Sequence, residues 1–112
     1  MSRFAYETSG SGACVLVALQ GELDLPATAE LEPELDRLAG KPSVDVVVLD
    51  LRGLQFLDSS GLRLVVVIDR RLREAGRRLA LVRGPQPVQR VFEITRMTER
   101  LEFVDTPEQV AR

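Results

Sequence analysis

The sequence predicts an α/β protein in which a mixed β-sheet carries an N-terminal hairpin and about four helices. Two short strand-like segments flank a turn at residues 9–12, which predicts the hairpin. Two strongly apolar runs, residues 44–51 and 79–82, are each followed by a helical pattern. Strands that alternate with helices in this way pair in parallel, with the helices on one or both faces of the sheet. With 112 residues, the chain suits one domain over residues 1–112.

The N-terminal half begins with the hairpin and continues into a helix. Residues 4–8 alternate between apolar and polar side chains, and residues 13–19 form the second strand. Asp24 is placed to cap a helix over residues 26–39, because its carboxylate can accept hydrogen bonds from free N–H groups of the first turn. Pro33 lies inside that helix, where a proline costs about 3 kcal/mol. We therefore expect a kink there or a late helix start.

The C-terminal half alternates strands and helices. Residues 44–51 are apolar on both faces, which is typical of a covered central strand. Residues 62–75 include a β-branched run that would suit a strand, but the polar stretch after it and the stop at Gly76 favour a buried helix. The remaining elements follow in order: a strand at residues 79–82, a helix from Gly84 to about Ile94, a short strand near Phe103 and a terminal helix near Pro107.

Composition and charge exclude several classes of function. Histidine is absent, which excludes a Ser-His-Asp triad and histidine metal sites, and the single Cys14 excludes a cysteine-rich zinc site. Phosphate-binding glycine loops are also absent, so we expect no enzymatic activity, no cofactor and no metal. The net charge of -2 gives no bulk attraction to nucleic acid. No apolar run approaches the ~18 residues of a membrane span and no signal-peptide pattern is present, so we expect a cytoplasmic protein.

The most informative segment is residues 57–62, with the sequence LDSSGL, at a predicted strand-to-helix junction. An Asp or Ser side chain there can cap the helix, and the free N–H groups of the first turn can also bind an anion. A serine at this position can therefore carry a phosphate, which indicates a switch rather than a catalyst. The plainer interpretation, that Ser59 and Ser60 only cap the helix, stays open from these residues alone. Gly61 allows a close backbone approach or a tight turn.

Other candidate residues each allow two interpretations. Asp50 at a strand end resembles the phosphoacceptor of receiver domains, but no matching set of acidic residues and a lysine is evident. Side chains at the start of the predicted helix either contact a partner or pack in the core: Leu62, Leu64 and Val65. A group of basic residues forms either a solvated helix face or a surface that contacts an acidic partner: Arg70, Arg71, Arg73, Arg77 and Arg78.

The chain resembles a known family at several of these residues. Four segments, residues 21–24, 46–50, 56–62 and 73–76, are similar in order and spacing to a STAS domain. More narrowly, they are similar to bacterial anti-anti-sigma factors, which are anti-sigma factor antagonists. The resemblance implies that an anti-sigma factor with serine kinase activity phosphorylates the serine directly after the aspartate, which is Ser59 here.

The resemblance also implies a partner-switching cycle. The unphosphorylated form binds the anti-sigma factor and releases a sigma factor, phosphorylation switches that binding off, and a serine phosphatase resets it. The implied partner-binding residues are Asp24, Asp58, Ser60, Gly61, Leu62 and Arg63. Relatives often have a small residue at the position of Arg63, so a bulky cation there can pair with the phosphate or alter partner choice. The alternative is a non-switched STAS scaffold or an accessory subunit of a signalling or transport assembly. In both cases we expect no direct contact with nucleic acid or a membrane.

Overall fold

The computed structural model describes residues 3–10 and 12–110, which form one mixed five-stranded sheet and three α-helices. The strands are β1 (Phe4–Ser9), β2 (Cys14–Leu23), β3 (Val46–Leu57), β4 (Arg78–Val82) and β5 (Glu102–Val104). The helices are α1 (Leu25–Ala39), α2 (Ser59–Glu74) and α3 (Gln86–Ile94), and two short 3₁₀ turns cover Met97–Glu99 and Pro107–Gln109. The predicted α/β class, mixed sheet and hairpin are confirmed. The described part of the chain has three helices rather than about four, because the predicted terminal helix is a single 3₁₀ turn.

The order of the strands puts all three helices on one face of the sheet. The strands lie in chain order, with β1 antiparallel to β2 and every other neighbouring pair parallel. Right-handed crossovers between strands added in one direction place each connecting helix on the same side. Buried side chains from all three helices pack with strand residues such as Leu49 and Leu81 into one core. The other face carries a smaller apolar cluster around Val48 and Val82, to which Val110 contributes.

The first helix runs through its interior proline. α1 begins at Leu25, directly after its N-cap residue Asp24, as predicted. The predicted late start at Pro33 is wrong, because the helix continues through that residue to Ala39. Pro33 has no N–H to donate to the carbonyl of Ala29, but both residues lie on the exposed face, where water can hydrate that carbonyl. Exposure therefore reduces the cost of the interior proline.

The central strand is longer than predicted. β3 extends to Leu57 instead of ending at residue 51. Two register shifts against β2, each of which adds one residue to β3, explain the difference. Such bulges break the alternation of buried and exposed side chains. The core residues at the end of the strand, Leu51, Leu54 and Leu57, are consequently three positions apart instead of two. A prediction that relies on the alternation of buried and exposed residues therefore ends the strand too early.

The ambiguous apolar run after this strand is a helix, as predicted. α2 begins at Ser59 rather than at residue 62. Leu64, Val65 and Ile68 are all at most 6% exposed, so they belong to the core. Contact with a partner is therefore excluded for Leu64 and Val65, whereas Leu62 is half-buried against the core. Within residues 3–10 and 12–110, none of the helices has the length and apolar character needed to cross a bilayer.

Candidate functional site

Two strand-to-helix junctions lie side by side at one edge of the sheet. β2 and β3 pair in parallel, and their last residues, Leu23 and Leu57, are opposite each other. The N–H of Asp58 donates to the carbonyl of Leu23 over 3.4 Å, which ties the second junction to the first. Asp24 and Asp58 each follow the last residue of a strand and cap the next helix. The two aspartates that the sequence singled out are therefore neighbours in the fold.

Asp58 holds the start of α2 with three hydrogen bonds. Its Oδ1 accepts the N–H of Ser60 at 3.0 Å, the N–H of Gly61 at 3.1 Å and the hydroxyl of Ser60 at 2.5 Å. Burial acts to raise the pKa of the Asp58 carboxyl, but these hydrogen bonds outweigh it and place the pKa below its ordinary value. The carboxylate is thus ionised at neutral pH and occupies two of the free N–H groups of the helix.

The two serines of the junction are in different situations. Ser60 is half-buried, and its hydroxyl donates to Asp58. Ser59 is exposed as the first residue of α2, and its hydroxyl has no hydrogen-bond partner among residues 3–10 and 12–110. The side chain that caps the helix is Asp58, so capping does not require either serine hydroxyl. Ser59 is therefore the hydroxyl that an external reagent can reach.

Gly61 is required because α2 starts very close to the end of β2. A Cβ atom at this position would lie 2.7 Å from the carbonyl oxygen of Leu23 and 2.9 Å from Cδ1 of Leu57. Both distances are shorter than van der Waals contact allows. Of the two predicted reasons for a glycine here, the close backbone approach is the correct one. Gly61 is buried and has no side chain, so its contribution to the site is to let the start of α2 lie close to β2.

Asp24 is the N-cap residue of α1, as the sequence predicts. Its Oδ1 accepts the N–H of Ala27 at 3.1 Å. Pro26 occupies the second position of the helix and has no N–H to offer, so the carboxylate receives one backbone hydrogen bond here. Its side chain is half-buried, and its role in binding a partner stays a prediction.

A groove between α1 and α2 opens beside the second junction. Its lining combines apolar, hydroxyl and charged side chains from both helices: Leu25, Thr28, Glu32, Ser60, Arg63, Leu64 and Val67. Arg63 is exposed, and none of the described residues forms an ion pair with it. The predicted site residues Ser59, Ser60 and Arg63 lie on the first two turns of α2, and Asp58 is its N-cap residue.

Two exposed apolar residues next to the junctions were not predicted from the sequence. Leu25, directly after Asp24, is 68% exposed, and Phe56, two residues before Asp58, is 47% exposed. Leu25 lies off the face of α1 that the leucine spacing marks as buried, which is a signal that sequence reasoning could have used. Phe56 lies beyond residue 51, where the predicted strand ends, because the bulges conceal the rest of β3. Both residues add apolar area to this edge of the molecule.

The predicted group of basic residues divides between the exposed end of α2 and two half-buried arginines that follow the helix. Three of them form ion pairs: Arg71 with Asp36, Arg73 with Asp69 and Arg78 with Glu102. Arg77 donates to backbone carbonyls at the end of α1 and beyond it, including those of Ala39, Lys41 and Val44. The members on the helix, Arg70, Arg71 and Arg73, are exposed, as a solvated helix face requires, whereas Arg77 and Arg78 follow the helix and are half-buried.

The carboxylate of Asp50 forms an ion pair with the guanidinium of Arg52. Its Oδ1 accepts the N–H of Arg52 at 3.0 Å, and its Oδ2 accepts Nη2 of Arg52 at 2.8 Å. Burial acts to raise the pKa of Asp50, but the hydrogen bonds from Arg52 outweigh it and lower the pKa. Within the described ranges, no cluster of three or more Cys, Asp or Glu side chains that could hold a metal ion is found.

Known sequences resemble the chain over most of its length. A sequence profile of the family described as "Mlab, STAS domain" matches residues 6–105. An anti-sigma F factor antagonist of Lysinibacillus sphaericus is 30% identical over 81 residues, which cover 72% of this chain and 69% of that protein. The profile match includes both junctions.

Solved anti-sigma factor antagonists have a similar fold. One from Mycobacterium paratuberculosis has a TM-score of 0.83 at 19% identity and covers 94% of this chain and 88% of its own. The antagonist SpoIIAA in its unphosphorylated form has a TM-score of 0.81 at 24% identity, with 94% and 91% covered. Bacillus SpoIIAA in the phosphorylated form has a TM-score of 0.74 at 24% identity, with 94% and 95% covered. With the profile match and the 30% identical relative, these findings show that the chain belongs to the STAS domain family of anti-sigma factor antagonists.

Proposed function

We propose that this chain is an anti-sigma factor antagonist that phosphorylation of Ser59 switches off. The unphosphorylated form binds an anti-sigma factor, itself a serine kinase, and thereby releases a sigma factor. Phosphorylation ends this binding, and a serine phosphatase restores it. The observation that carries the proposal is the exposed Ser59 hydroxyl, which makes no hydrogen bond to any residue that the structure describes. Ser59 directly follows Asp58, whose carboxylate is ionised. A related antagonist, SpoIIAA, has been solved in both an unphosphorylated and a phosphorylated form.

The position of Ser59 suits modification of the folded protein. The residue is exposed in the first turn of α2, so a kinase can reach Oγ without opening the helix. The phosphoryl group passes from ATP to Oγ, ADP leaves, and the hydroxyl proton goes to a base of the kinase. No hydrogen bond between described residues has to break, because the Ser59 hydroxyl makes none. Since ATP and transcription are involved, the proposed cycle operates in the cytoplasm.

The phosphate changes the charge of the partner surface. It adds about 1.5 to 2 negative charges at neutral pH. Asp58 is already ionised next to it, and Asp24 caps the adjacent helix. Three acidic groups then share one edge of the sheet, which repels an acidic partner surface and makes the phosphorylated edge costly to desolvate. Binding is switched off while the fold is retained.

The proposed partner surface consists of the residues predicted from the sequence together with the two exposed apolar residues beside them. Its members are Asp24, Leu25, Phe56, Asp58, Ser60, Leu62 and Arg63, with Gly61 acting through the backbone position of α2. Stable interfaces combine a buried apolar centre with a polar rim. Leu25 and Phe56 supply the apolar part, and the charged side chains surround it. We also propose that residues 1–112 act as a single STAS domain, which the shared core of all three helices supports.

The first test is modification by a candidate kinase. The purified chain is incubated with candidate anti-sigma kinases and ATP, and the Ser59 peptide is analysed by mass spectrometry. We expect one phosphate on wild type and on Ser60→Ala, and none on Ser59→Ala. Ser60→Ala is the matched control, because it removes the neighbouring hydroxyl of the same helix turn. An unmodified Ser59 with every cognate kinase would favour the non-switched scaffold or accessory subunit.

The second test is partner binding. Ser59→Asp places a negative charge at the proposed switch, and Ser59→Ala removes only the hydroxyl. We expect Ser59→Asp to weaken binding to the anti-sigma factor at least tenfold, measured by titration calorimetry, and Ser59→Ala to bind as wild type does. Equal affinity of Ser59→Asp and wild type would contradict the proposed switch.

A further inference from the structure

We propose that Arg63 is the partner, within this chain, of the phosphate on Ser59. The inference rests on the proposed function, since it concerns the phosphorylated state. It adds a second component to the switch: the phosphate draws the Arg63 guanidinium towards Ser59 and away from the groove between α1 and α2. Phosphorylation then adds an anion to the partner surface and also withdraws a free cation from it.

The helix itself brings the two side chains together. Ser59 and Arg63 are four residues apart in α2, so they are neighbours on one face with Cβ atoms about 6 Å apart. Arg63 lines the groove between α1 and α2, as Ser60 does. The long arginine side chain can therefore reach a phosphate on Ser59 without any change in the backbone.

The usual anion-binding groups of the helix start are already in use. A phosphate at the start of a helix normally accepts hydrogen bonds from the free N–H groups of the first turn. Here the N–H groups of Ser60 and Gly61 donate to Asp58, and the N–H of Leu62 donates to the Asp58 carbonyl. The phosphate is left with the N–H of Ser59 itself, so it needs another donor. Arg63 supplies several N–H donors in a geometry that suits a phosphate.

Arg63 is also available for this role. Its neighbours on the same helix face are Ser59, Ser60, Val66 and Val67, so α2 places no carboxylate beside it. Glu32 lines the same groove, but none of the ion pairs between described residues joins it to Arg63. Of these helix neighbours, the two serines alone can acquire a negative charge, and the Ser60 hydroxyl is bonded to Asp58. Before Ser59 is phosphorylated, the guanidinium therefore has no ion pair with any residue that the structure describes.

The test measures the ionisation of the phosphate directly. Phosphoserine is incorporated at position 59 during translation of the full chain, and the phosphorus-31 chemical shift is followed against pH. A guanidinium beside the phosphate favours its dianion. We expect Arg63→Gln to move the titration midpoint upward by about 0.5 pH unit relative to the wild-type sequence, and high salt to reduce this difference. Arg70→Gln is the matched control, because Arg70 is an exposed arginine farther along the same helix without an ion pair to any described residue.

Two results would overturn the inference. One is an unchanged midpoint in Arg63→Gln, and the other is an equal upward shift in Arg70→Gln, which would reflect the overall charge instead of a specific contact. Because translation installs the phosphate without any kinase, the result does not depend on whether a kinase recognises Ser59. A failure of the proposed function would appear in the kinase experiment, and a failure of the Arg63 contact would appear here.

Discussion

The two junctions at Asp24 and Asp58 share one backbone frame but differ in chemistry. The N-cap residues have nearly the same torsion angles, with φ of -103° and ψ of -173° at Asp24 and φ of -104° and ψ of -173° at Asp58. The Asp24 side chain accepts one hydrogen bond, whereas that of Asp58 accepts three. The difference comes from the second helix position, where Pro26 has no N–H and Ser60 offers both an N–H and a hydroxyl.

An aspartate cap does not by itself provide a group that can be phosphorylated. At the first junction the exposed first residue of the helix is Leu25, which can contribute only apolar contact. At the second junction the same position is Ser59, which is exposed and carries a hydroxyl. The two adjacent helix starts therefore differ in what they expose: one presents an apolar side chain and the other a hydroxyl.

The largest expected effect comes from closing the space that the second junction requires. Gly61→Ala places a Cβ 2.7 Å from the Leu23 carbonyl oxygen. Relieving this overlap should lower the free energy of unfolding by about 2 to 3 kcal/mol, measured by urea denaturation. Gly40→Ala is the control, because a Cβ there meets its nearest atom at 3.5 Å, and it should stay within about 1 kcal/mol of wild type. Equal effects of the two substitutions would contradict the close approach of α2.

Removing each cap tests the difference between the junctions themselves. Asp58→Ala should lower the free energy of unfolding by about 1 to 2 kcal/mol, because two N–H groups and one hydroxyl lose their acceptor. Asp24→Ala should cost about 0.5 to 1 kcal/mol, since one N–H loses its acceptor. Denaturation midpoints of the two variants, measured side by side, show which substitution destabilises the protein more. A larger effect at Asp24 would show that the number of hydrogen bonds does not set the strength of the cap.

Removing each serine hydroxyl should distinguish the contributions of Ser59 and Ser60 to stability. Ser60→Ala loses a hydrogen bond to Asp58 and should cost about 0.5 to 1.5 kcal/mol of unfolding free energy. Ser59→Ala loses no hydrogen bond to a described residue and should stay within about 0.5 kcal/mol of wild type. Thermal unfolding of both variants in the same buffer checks this. Equal destabilisation by the two substitutions would contradict the unequal roles of the hydroxyls.

The smallest expected effect is a difference in pH dependence. The pKa of Asp58 is lower in the folded protein than its ordinary value. The ionised carboxylate therefore stabilises the fold at pH values above the ordinary pKa, and this stabilisation is lost as the pH falls through the folded pKa. Asp58→Asn keeps an oxygen acceptor but removes the charge, so its unfolding free energy should fall less on acidification. Glu34, Asp50 and Glu102 also have lowered pKa values, and part of the wild-type slope should remain. Parallel profiles for wild type and Asp58→Asn would exclude this contribution.

Local signals were sufficient to predict much of the fold and part of the site. The Asp24 cap was predicted, and Asp58 was one of the candidate caps of α2, because a cap joins residues two or three positions apart in the chain. The hairpin and the helical character of α2 were predicted for the same reason, since turn residues and apolar spacing are local. Pro33 misled the prediction, because a sequence pattern does not say whether the carbonyl left unpaired faces water.

Other features depend on residues that are distant in the sequence. The end of β3 was missed because its bulges exist only in register with β2. The arginines at the end of α2 and after it were predicted to be solvated or to contact an acidic partner, but Arg71 and Arg77 also bind groups on or just beyond α1. Phe56 and Leu25 were not recognised as neighbours of one site, because the pairing of two strands brings them to the same edge.

By itself, the sequence determined the order of the strands and of the three α-helices, the Asp24 cap, and an aspartate followed by two serines at the strand-to-helix junction. Each depends on chemistry within about one helical turn, which residue type and spacing are enough to specify. The tertiary structure decided that the two junctions lie side by side, that all helices cover one face, and that Gly61 must lack a side chain. These follow from strand pairing and close packing, which join Leu23 to the start of α2 across the whole length of α1 and β3.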